Sequence, residues 1–364
     1  MRVMQVAPRY FPNVGGVEVV VQKLSETLVQ KGIDVVVLSV DLCGGLAPVE
    51  TVNGVVVKRF APVVGDPLYL PEPRFISALR DENVDVVHVH NIHTVPPAVV
   101  AAFRRLDQKM LLQPHYHRYG QSPFRESLFQ VYKRGAEQLI FSRTHLVIAN
   151  SAYEQQILRE DFSEARNVLL VPEGVDIKDA TIVKHKPVEP KRILYVGVLK
   201  RYKNVDKLLE GFAVLLKNGN RGFRLVIVGK GEELGSLQCR AKSLGVEDFV
   251  EWKSQLPRQQ LLDEYAMASV LVLLSPLESF SRVVYDALVI GVPVAVLNFG
   301  ALHHLVVSRY AEGVNSLRPE SVAEAVLEAT QKRYARLSLS SGEFMDLDSY
   351  SNKLVDVYEL LVER

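Results

Sequence analysis

Short apolar, β-branched runs alternate with segments of helical period along nearly the whole chain, and this alternation narrows the choice of fold more than any other feature. In the first half the strand-like runs are Val3–Ala7, Val35–Val40, Val55–Phe60, Val86–Val89, Met110–Gln113, His145–Ala149 and Val168–Val171. In the second half they are Arg192–Val196, Arg224–Val228, Phe249–Trp252, Val270–Leu274 and Val294–Leu297. Apolar strands separated by helices belong in parallel sheets covered on both faces. Between the two sets, Pro172–Lys191 is rich in proline and charge and lacks periodicity, as a linker does. The 364 residues give room for about two domains. The sequence therefore predicts an α/β protein with two doubly wound domains facing a cleft. The expected boundaries are 1–171, a linker at 172–191, a second domain at 192–340, and a C-terminal helix at 341–364 expected to pack back on the first domain.

Apolar residues make up 48% and charged residues 23%, which suits large cores and argues against disorder. A formal net charge of +1 without a dominant basic stripe argues against a nucleic-acid binder. Cys43 and Cys239 fall in different halves, so neither a disulfide scaffold nor a cysteine zinc site is offered. A reducing, cytoplasmic setting fits. No apolar run approaches the roughly 18 residues of a membrane span. The opening MRVMQVAPRY lacks the apolar core of a signal peptide and reads as a buried strand.

Ligands of such sheets lie beyond the carboxyl ends of the strands, so the loops there carry the chemistry. In PNVGGVEVVVQKL, Gly15 and Gly16 precede a helix beginning near Val17, where glycine lets backbone approach a ligand and free N–H groups face an anion. VGKGEE, at 228–233, is a second glycine loop after a strand. In YVGVLKRYKNVDKLLEGF, Gly197 opens a loop in which Lys200, Arg201 and Lys203 crowd the start of a helix at Asp206–Phe212. Three cations beside a helix N-terminus oppose its dipole, and a phosphate among them would reverse that cost. SPLESFSRVVYDALVIGVPV, at 275–294, places Glu278 in a turn and Asp286 in the second turn of the following helix. On spacing alone, Glu278 as a helix cap and Asp286 as a surface acid remain open. His88, His90 and His93 cluster at one strand end, and His115 and His117 at another. No carboxylate or cysteine completes a zinc set there, so no metal is expected.

Taken together, these stretches resemble glycosyltransferase family 4, a retaining group with the GT-B fold of two Rossmann-like domains. The resemblance runs from Gly15–Glu18 to about Val306. It includes DVVHVHN, QPHYH, VIANSAYE, VPEGVD, YVGVLKRYKN and ESFSRVVYDAL. It implies transfer of a hexose from a nucleotide-diphosphate sugar, with GDP-mannose or a UDP-sugar as donor substrate and no cofactor. Glu278 would face the sugar near its reacting carbon. Asp286 would hold the ribose diol, since a carboxylate accepts two hydrogen bonds at once. Ser279, Phe280 and Ser281 would complete the turn that aims a helix N-terminus at the diphosphate. Gly15, Gly16, Gly197, Arg201 and Lys203 would surround the same phosphates, and His115 would be the second catalytic residue, next to the donor sugar and hydrogen-bonding one of its hydroxyls or the reacting centre. The base would lie near Ser254–Leu256. The cations would replace a metal. The chain departs from the family pattern at Val198 (Arg in the family), Ser281 (Gly), Asp286 (Glu), Ala301 (Gly) and His304 (Glu). Two other readings stay open: a noncatalytic nucleotide-sugar-binding subunit, and a GT-B sugar-nucleotide epimerase.

The segment 118–143 carries Arg118, Arg125, Lys133, Arg134 and Arg143 against Glu126 and Glu137. Phe124, Leu128, Val131, Gly135 and Leu139 recur on one helical face, which Phe129, Tyr132 and Ile140 widen. A basic amphipathic segment suits an anionic membrane surface, so a lipid-linked or glycan acceptor and a peripheral place on the inner face of the cell membrane are expected.

Overall fold

Val, Ile and Leu runs become strands because their side chains pack well on a pleated surface. In the computed structural model, residues 1–13, 15–120, 122–332, 334, 337 and 344–363 are described, with only the backbone of Pro123, Arg134 and Asp179. Residues 338–340 of the expected second domain and 341–343 of the expected C-terminal segment lie outside these. The chain divides into unit 1, Met1–Gly174 with Glu343–Arg364, and unit 2, Val175–Gly342.

Unit 1 holds an eight-stranded sheet. Its strands are β1 (Arg2–Val6), β2 (Asp34–Val40), β3 (Val49–Val52), β4 (Val55–Phe60), β7 (Val86–His90), β8 (Lys109–Gln113), β9 (Leu146–Ala149) and β10 (Val168–Leu170); Pro62–Val64 (β5) and Leu70–Pro71 (β6) form a separate small ladder. The sheet order is β10-β9-β8-β7-β1-β2-β4-β3, all parallel except the β3–β4 pair. The connecting helices are α1 (Gly16–Gln30), α2 (Arg74–Asp81), α3 (Pro96–Phe103), α4 (Pro123–Arg143) and α5 (Ala152–Asp161).

Unit 2 begins inside the stretch expected as a linker. That stretch contains the short strand β11 (Gly174–Val175), the helix α6 (Lys178–Ile182) and the first residue of β12 (Lys191–Val196). Then follow α7 (Val205–Lys217), β13 (Phe223–Val228), α8 (Leu234–Ser243), β14 (Val250–Lys253), α9 (Arg258–Met267), β15 (Val270–Leu273), α10 (Arg282–Ile290), β16 (Val294–Leu297), α11 (His303–Val307), β17 (Glu312–Val314) and α12 (Pro319–Gln331). The six strands are parallel in the order β14-β13-β12-β15-β16-β17.

After β18 (Met345–Asp346), the chain ends in α13 (Leu347–Glu363), which belongs to unit 1. Its Tyr350, Leu354, Val357, Tyr358 and Leu361 join a core with Val3, Leu24, Leu28, Val35 and Leu111. Each such side chain contributes about 1.5–3 kcal/mol of burial. On the rim, Lys31 Nζ reaches Asp348 at 2.6 Å and Asn352 at 2.7 Å.

Candidate functional site

The order of strands reverses at β12, which has β13 on one side and β15 on the other. The loops leaving β12 and β15 therefore flank a topological switch point, the usual ligand position in open α/β sheets. Both carry residues singled out from sequence. Asn204 ties the two loops together: its backbone is left-handed (φ 55°), as Asn tolerates, and its Nδ2 donates to the Leu274 carbonyl at 2.8 Å. This holds Lys203, the last residue of a single 3₁₀ turn, against the β15 loop.

Lys203 Nζ and Glu278 Oε1 meet at 2.6 Å, each side chain only 13% exposed. Burial opposes the charge on Lys203, but the Glu278 carboxylate outweighs it and holds the ammonium above its ordinary range. The ammonium also lies 5.0 Å from the centre of the Tyr202 ring. Arg201, beside it, is exposed. Asp286 is buried in α10 and receives Arg258 in a fork, Nη1–Oδ2 at 2.5 Å and Nη2–Oδ1 at 3.0 Å. Arg258 Nη2 also donates to the Asp176 carbonyl at 3.2 Å. Each Asp286 oxygen keeps a second lone pair for a further donor. Arg258 has no counterpart in the sequence reading, because it comes from a different helix, α9, with no local spacing to reveal it.

Ser281 accepts from the N–H groups of Val284 and Tyr285 through its backbone carbonyl, so α10 starts where the sequence places it. Phe280 stacks flat on Tyr285, ring centres 4.2 Å apart. Tyr285 Oη lies 3.2 Å from His304 Nε2, and His304 Nδ1 lies 2.6 Å from the Ala301 carbonyl. A carbonyl only accepts, so the proton sits on Nδ1 and Nε2 receives the tyrosine hydroxyl. His304 and Ala301, both departures from the family pattern, are thus bonded to each other.

The glycines divide by cause. Gly197 has φ 155°, and a Cβ on it would stand 3.0 Å from Tyr195 Oη. A Cβ on Gly229 or Gly231 would collide with the carbonyl oxygen of Gly197 or Leu199. The Gly229–Gly231 loop is glycine-rich because two strand-end loops run side by side there, joined by Gly197 N–Val228 O and Leu199 N–Lys230 O bonds of 3.0 Å. In unit 1, Gly15 caps α1 in extended conformation, and a Cβ there would collide with the Glu18 carboxylate, which is buried and ion-paired with Arg9. Gly16 has open space around it.

The histidines of unit 1 belong to a buried hydrogen-bonded chain. Tyr350 Oη donates to Gln113 Oε1 (3.1 Å), Gln113 Nε2 to Asn150 Oδ1 (2.5 Å), and Asn150 Nδ2 to His115 Nδ1 (3.2 Å). His115 Nε2 then meets His90 Nδ1 (3.3 Å), His90 Nε2 meets Gln5 Oε1 (2.8 Å), Gln5 Nε2 meets Tyr358 Oη (3.3 Å), and Tyr358 Oη meets His88 Nδ1 (2.8 Å). The amide orientations agree with one sense of donation throughout, which assigns the His115 and His90 protons to Nε2. Burial pushes the His115 and His88 imidazoles down to about 3, the charge of His115 adding to the effect on His88, and holds His90 and His93 well below their usual value. The His115 ring, expected next to the donor sugar, thus has both nitrogens bonded inside unit 1. Its backbone is left-handed (φ 47°). His93 and His117 stack on each other with centres 4.0 Å apart. Among the described residues, no group of three or more His, Cys, Asp or Glu is arranged to hold a metal ion.

The capped start of α5 supports this chain. Ser151 Oγ accepts from Glu154 N at 3.1 Å, and the Glu154 carboxyl accepts from Asn150 N (2.7 Å) and Tyr116 N (2.5 Å). Burial outweighs these bonds and pushes the Glu154 carboxyl up to about 8.

Helix α4 corrects the reading of its faces. Phe129, Ala136, Ile140 and Phe141 enter the core, with Tyr132 packed against them. Phe124 and Val131, each 70% exposed, and Leu139 stand outward. The two apolar rows are different faces, not one widened face. Arg118 pairs with Glu160 and Asp161, and Arg125 with Asp66 at 2.5 Å, so acids outside the segment offset part of its positive charge. Lys133 Nζ lies 4.4 Å from the centre of the Phe162 ring. The Arg134 side chain lies outside the described residues. No helix among the described residues is long and apolar enough to cross a membrane.

Two family descriptions match the chain in succession: Glycosyltransferase Family 4 over residues 14–179, and Glycosyl transferases group 1 over residues 177–341. A D-inositol 3-phosphate glycosyltransferase of Nocardiopsis dassonvillei is 29% identical over 95% of this chain and 90% of its own. A mannosylfructose-phosphate synthase of Agrobacterium fabrum is 28% identical over 56% of this chain and 49% of its own. Among solved structures, sucrose-phosphate synthase from Thermosynechococcus elongatus superposes with a TM-score of 0.77 at 19% identity, covering 99% of this chain and 98% of that one. Anabaena HepE in complex with UDP and glucose superposes at 0.75 and 16% identity, covering 98% and 99%. With both halves matched in order and the two-domain GT-B fold shared along the whole length, the chain belongs to glycosyltransferase family 4.

Proposed function

We propose that this glycosyltransferase is a retaining, metal-independent hexosyltransferase whose donor site is built on unit 2. The observation that carries the reading is the Lys203–Glu278 pair at the switch point between β12 and β15, 13% exposed on either side. As the sugar–phosphate bond breaks, negative charge grows on the leaving diphosphate, and Lys203, Arg201 and the N-terminal amides of α10 stabilise it. Positive charge grows on the sugar, beside Glu278. Asp286, oriented by the Arg258 fork, accepts the ribose hydroxyls. His115 acts here by holding the loop after β8 in place, since its ring nitrogens are committed to Asn150 and His90. The mannosyl product in the name of the Agrobacterium relative supports mannose as the sugar.

Donor screening by thermal shift, followed by product analysis with a lipid extract, tests the reading. Transfer is expected to continue in EDTA with the anomeric configuration kept. Complete loss in EDTA, restored by a divalent ion, would overturn metal independence. A protein that binds nucleotide sugars and never turns over would point to the noncatalytic subunit.

The acceptor in this reading is lipid-linked, and the outward row Phe124, Val131 and Leu139 of α4 lies on the bilayer surface. Wild type is expected to sediment with anionic vesicles at low salt. A Phe124→Ser, Val131→Ser double variant is expected to lose most of that binding, since each buried apolar side chain contributes about 1.5–3 kcal/mol. Equal transfer to a soluble sugar with no vesicle binding would remove the lipid acceptor.

A further inference from the structure

We propose that Glu278 also speeds release of the nucleoside diphosphate product by recapturing Lys203, an inference that rests on the reading of unit 2 as the donor site. The Lys203 ammonium is one charge with two claimants. Glu278 Oε1 holds it at 2.6 Å, and both side chains are largely removed from water. A buried charge deprived of its partner is costly, so each must be met by the other or by a ligand group. Lys203 cannot swing far, because Asn204 pins its loop to the Leu274 carbonyl. A diphosphate drawn to this ammonium therefore arrives within reach of the Glu278 carboxylate, which competes for the same Nζ and repels the phosphates.

While the sugar is attached, Glu278 has its hydroxyls or its developing positive charge as an alternative partner. Once the sugar has left, the carboxylate returns to Lys203. Its return weakens the hold on the diphosphate left behind. The same residue thus favours the transition state and disfavours the product complex.

The test uses the full chain and whichever of UDP, GDP and ADP the wild type binds best. Glu278→Gln keeps the shape and removes the charge. It is expected to bind the diphosphate about tenfold tighter, mostly through slower dissociation in stopped-flow displacement. Lys203→Met is expected to bind at least about tenfold more weakly. In the Lys203→Met background, Glu278→Gln should recover only a small part of the gain, because the contested ammonium is gone. Glu278→Asp, one methylene shorter, gives a second route and is expected to lie between wild type and Gln. Unchanged or weaker binding by a folded Glu278→Gln protein would overturn the proposal, provided Lys203→Met weakens binding. If the wild type binds none of the three nucleotides, or Lys203→Met has no effect, the donor-site reading itself fails.

Discussion

Glu278→Gln is expected to lower turnover by roughly 10²–10³, the range seen when one preorganised electrostatic group is removed from an active site. The side chain lies where water is largely excluded, so its charge acts at full strength on a sugar that becomes cationic. The substitution leaves Lys203 without its anion, and the folded protein should lose about 1–3 kcal/mol of stability, recovered when a diphosphate binds. Asp286→Asn should behave differently. It removes one side of the Arg258 fork and the ribose acceptor, so KM should rise more than kcat falls. A Glu278→Gln enzyme with wild-type kcat would show that the carboxylate does not take part in the reacting step.

Acid sensitivity should be the second large effect, and it arises in unit 1. His88 and His115 titrate near 3 in the folded chain, and His90 and His93 are also held well below the ordinary value of about 6.5. Below pH 6.5 the unfolded chain therefore binds protons that the native chain refuses. Their contribution to stability is present above pH 6.5 and is lost as pH falls toward 3. Between pH 7.5 and 5, His88 and His115 each cost about 2 kcal/mol, and His90 and His93 act in the same direction. Glu154 works the other way. Its carboxyl is raised to about 8, so its stability contribution is present at low pH and is lost as pH rises through 8. With one group opposing four, the net effect is a loss of stability as pH falls below the ordinary histidine range. Denaturant unfolding of unit 1, followed from pH 8 to 5, should show a maximum near pH 7 and a steep fall below about 6.5. A flat profile between pH 7 and 5 would mean that the histidines are not held neutral.

The sheets were legible because each parallel strand is a dense β-branched run. The predicted Val55–Phe60 and Val294–Leu297 coincide with β4 and β16, and the other predicted strands differ at their ends by a residue. The edge strands Val49–Val52 and Glu312–Val314 escaped notice. The first is half exposed and carries no apolar run, and the second is three residues long with glycine at its centre. The Glu278 and Asp286 turn was legible from its strand–loop–helix setting, and Lys203 from its crowd of cations. What pairs with them was not legible in the same way. Lys203 and Glu278 are 75 residues apart, and Arg258 reaches Asp286 from another helix. Nothing local in the sequence showed that the histidines are buried, and Gln5, Asn150, Tyr350 and Tyr358 close over them from sequence separations as large as 353. Periodicity alone gave α4 one widened apolar face. Only packing decides that Phe129 and Ile140 go inward while Phe124 and Val131 face out.

The most direct measurement is calorimetric titration of the full chain with UDP, GDP and ADP, in EDTA, for wild type and Lys203→Met. At least one of the three is expected to bind the wild type without a metal, and the variant to bind it ten- to a hundredfold more weakly, the loss of one charge-assisted contact worth about 1.5–3 kcal/mol. Binding of equal strength in the two proteins, or none in the wild type, would contradict the placement of the donor diphosphate at Lys203.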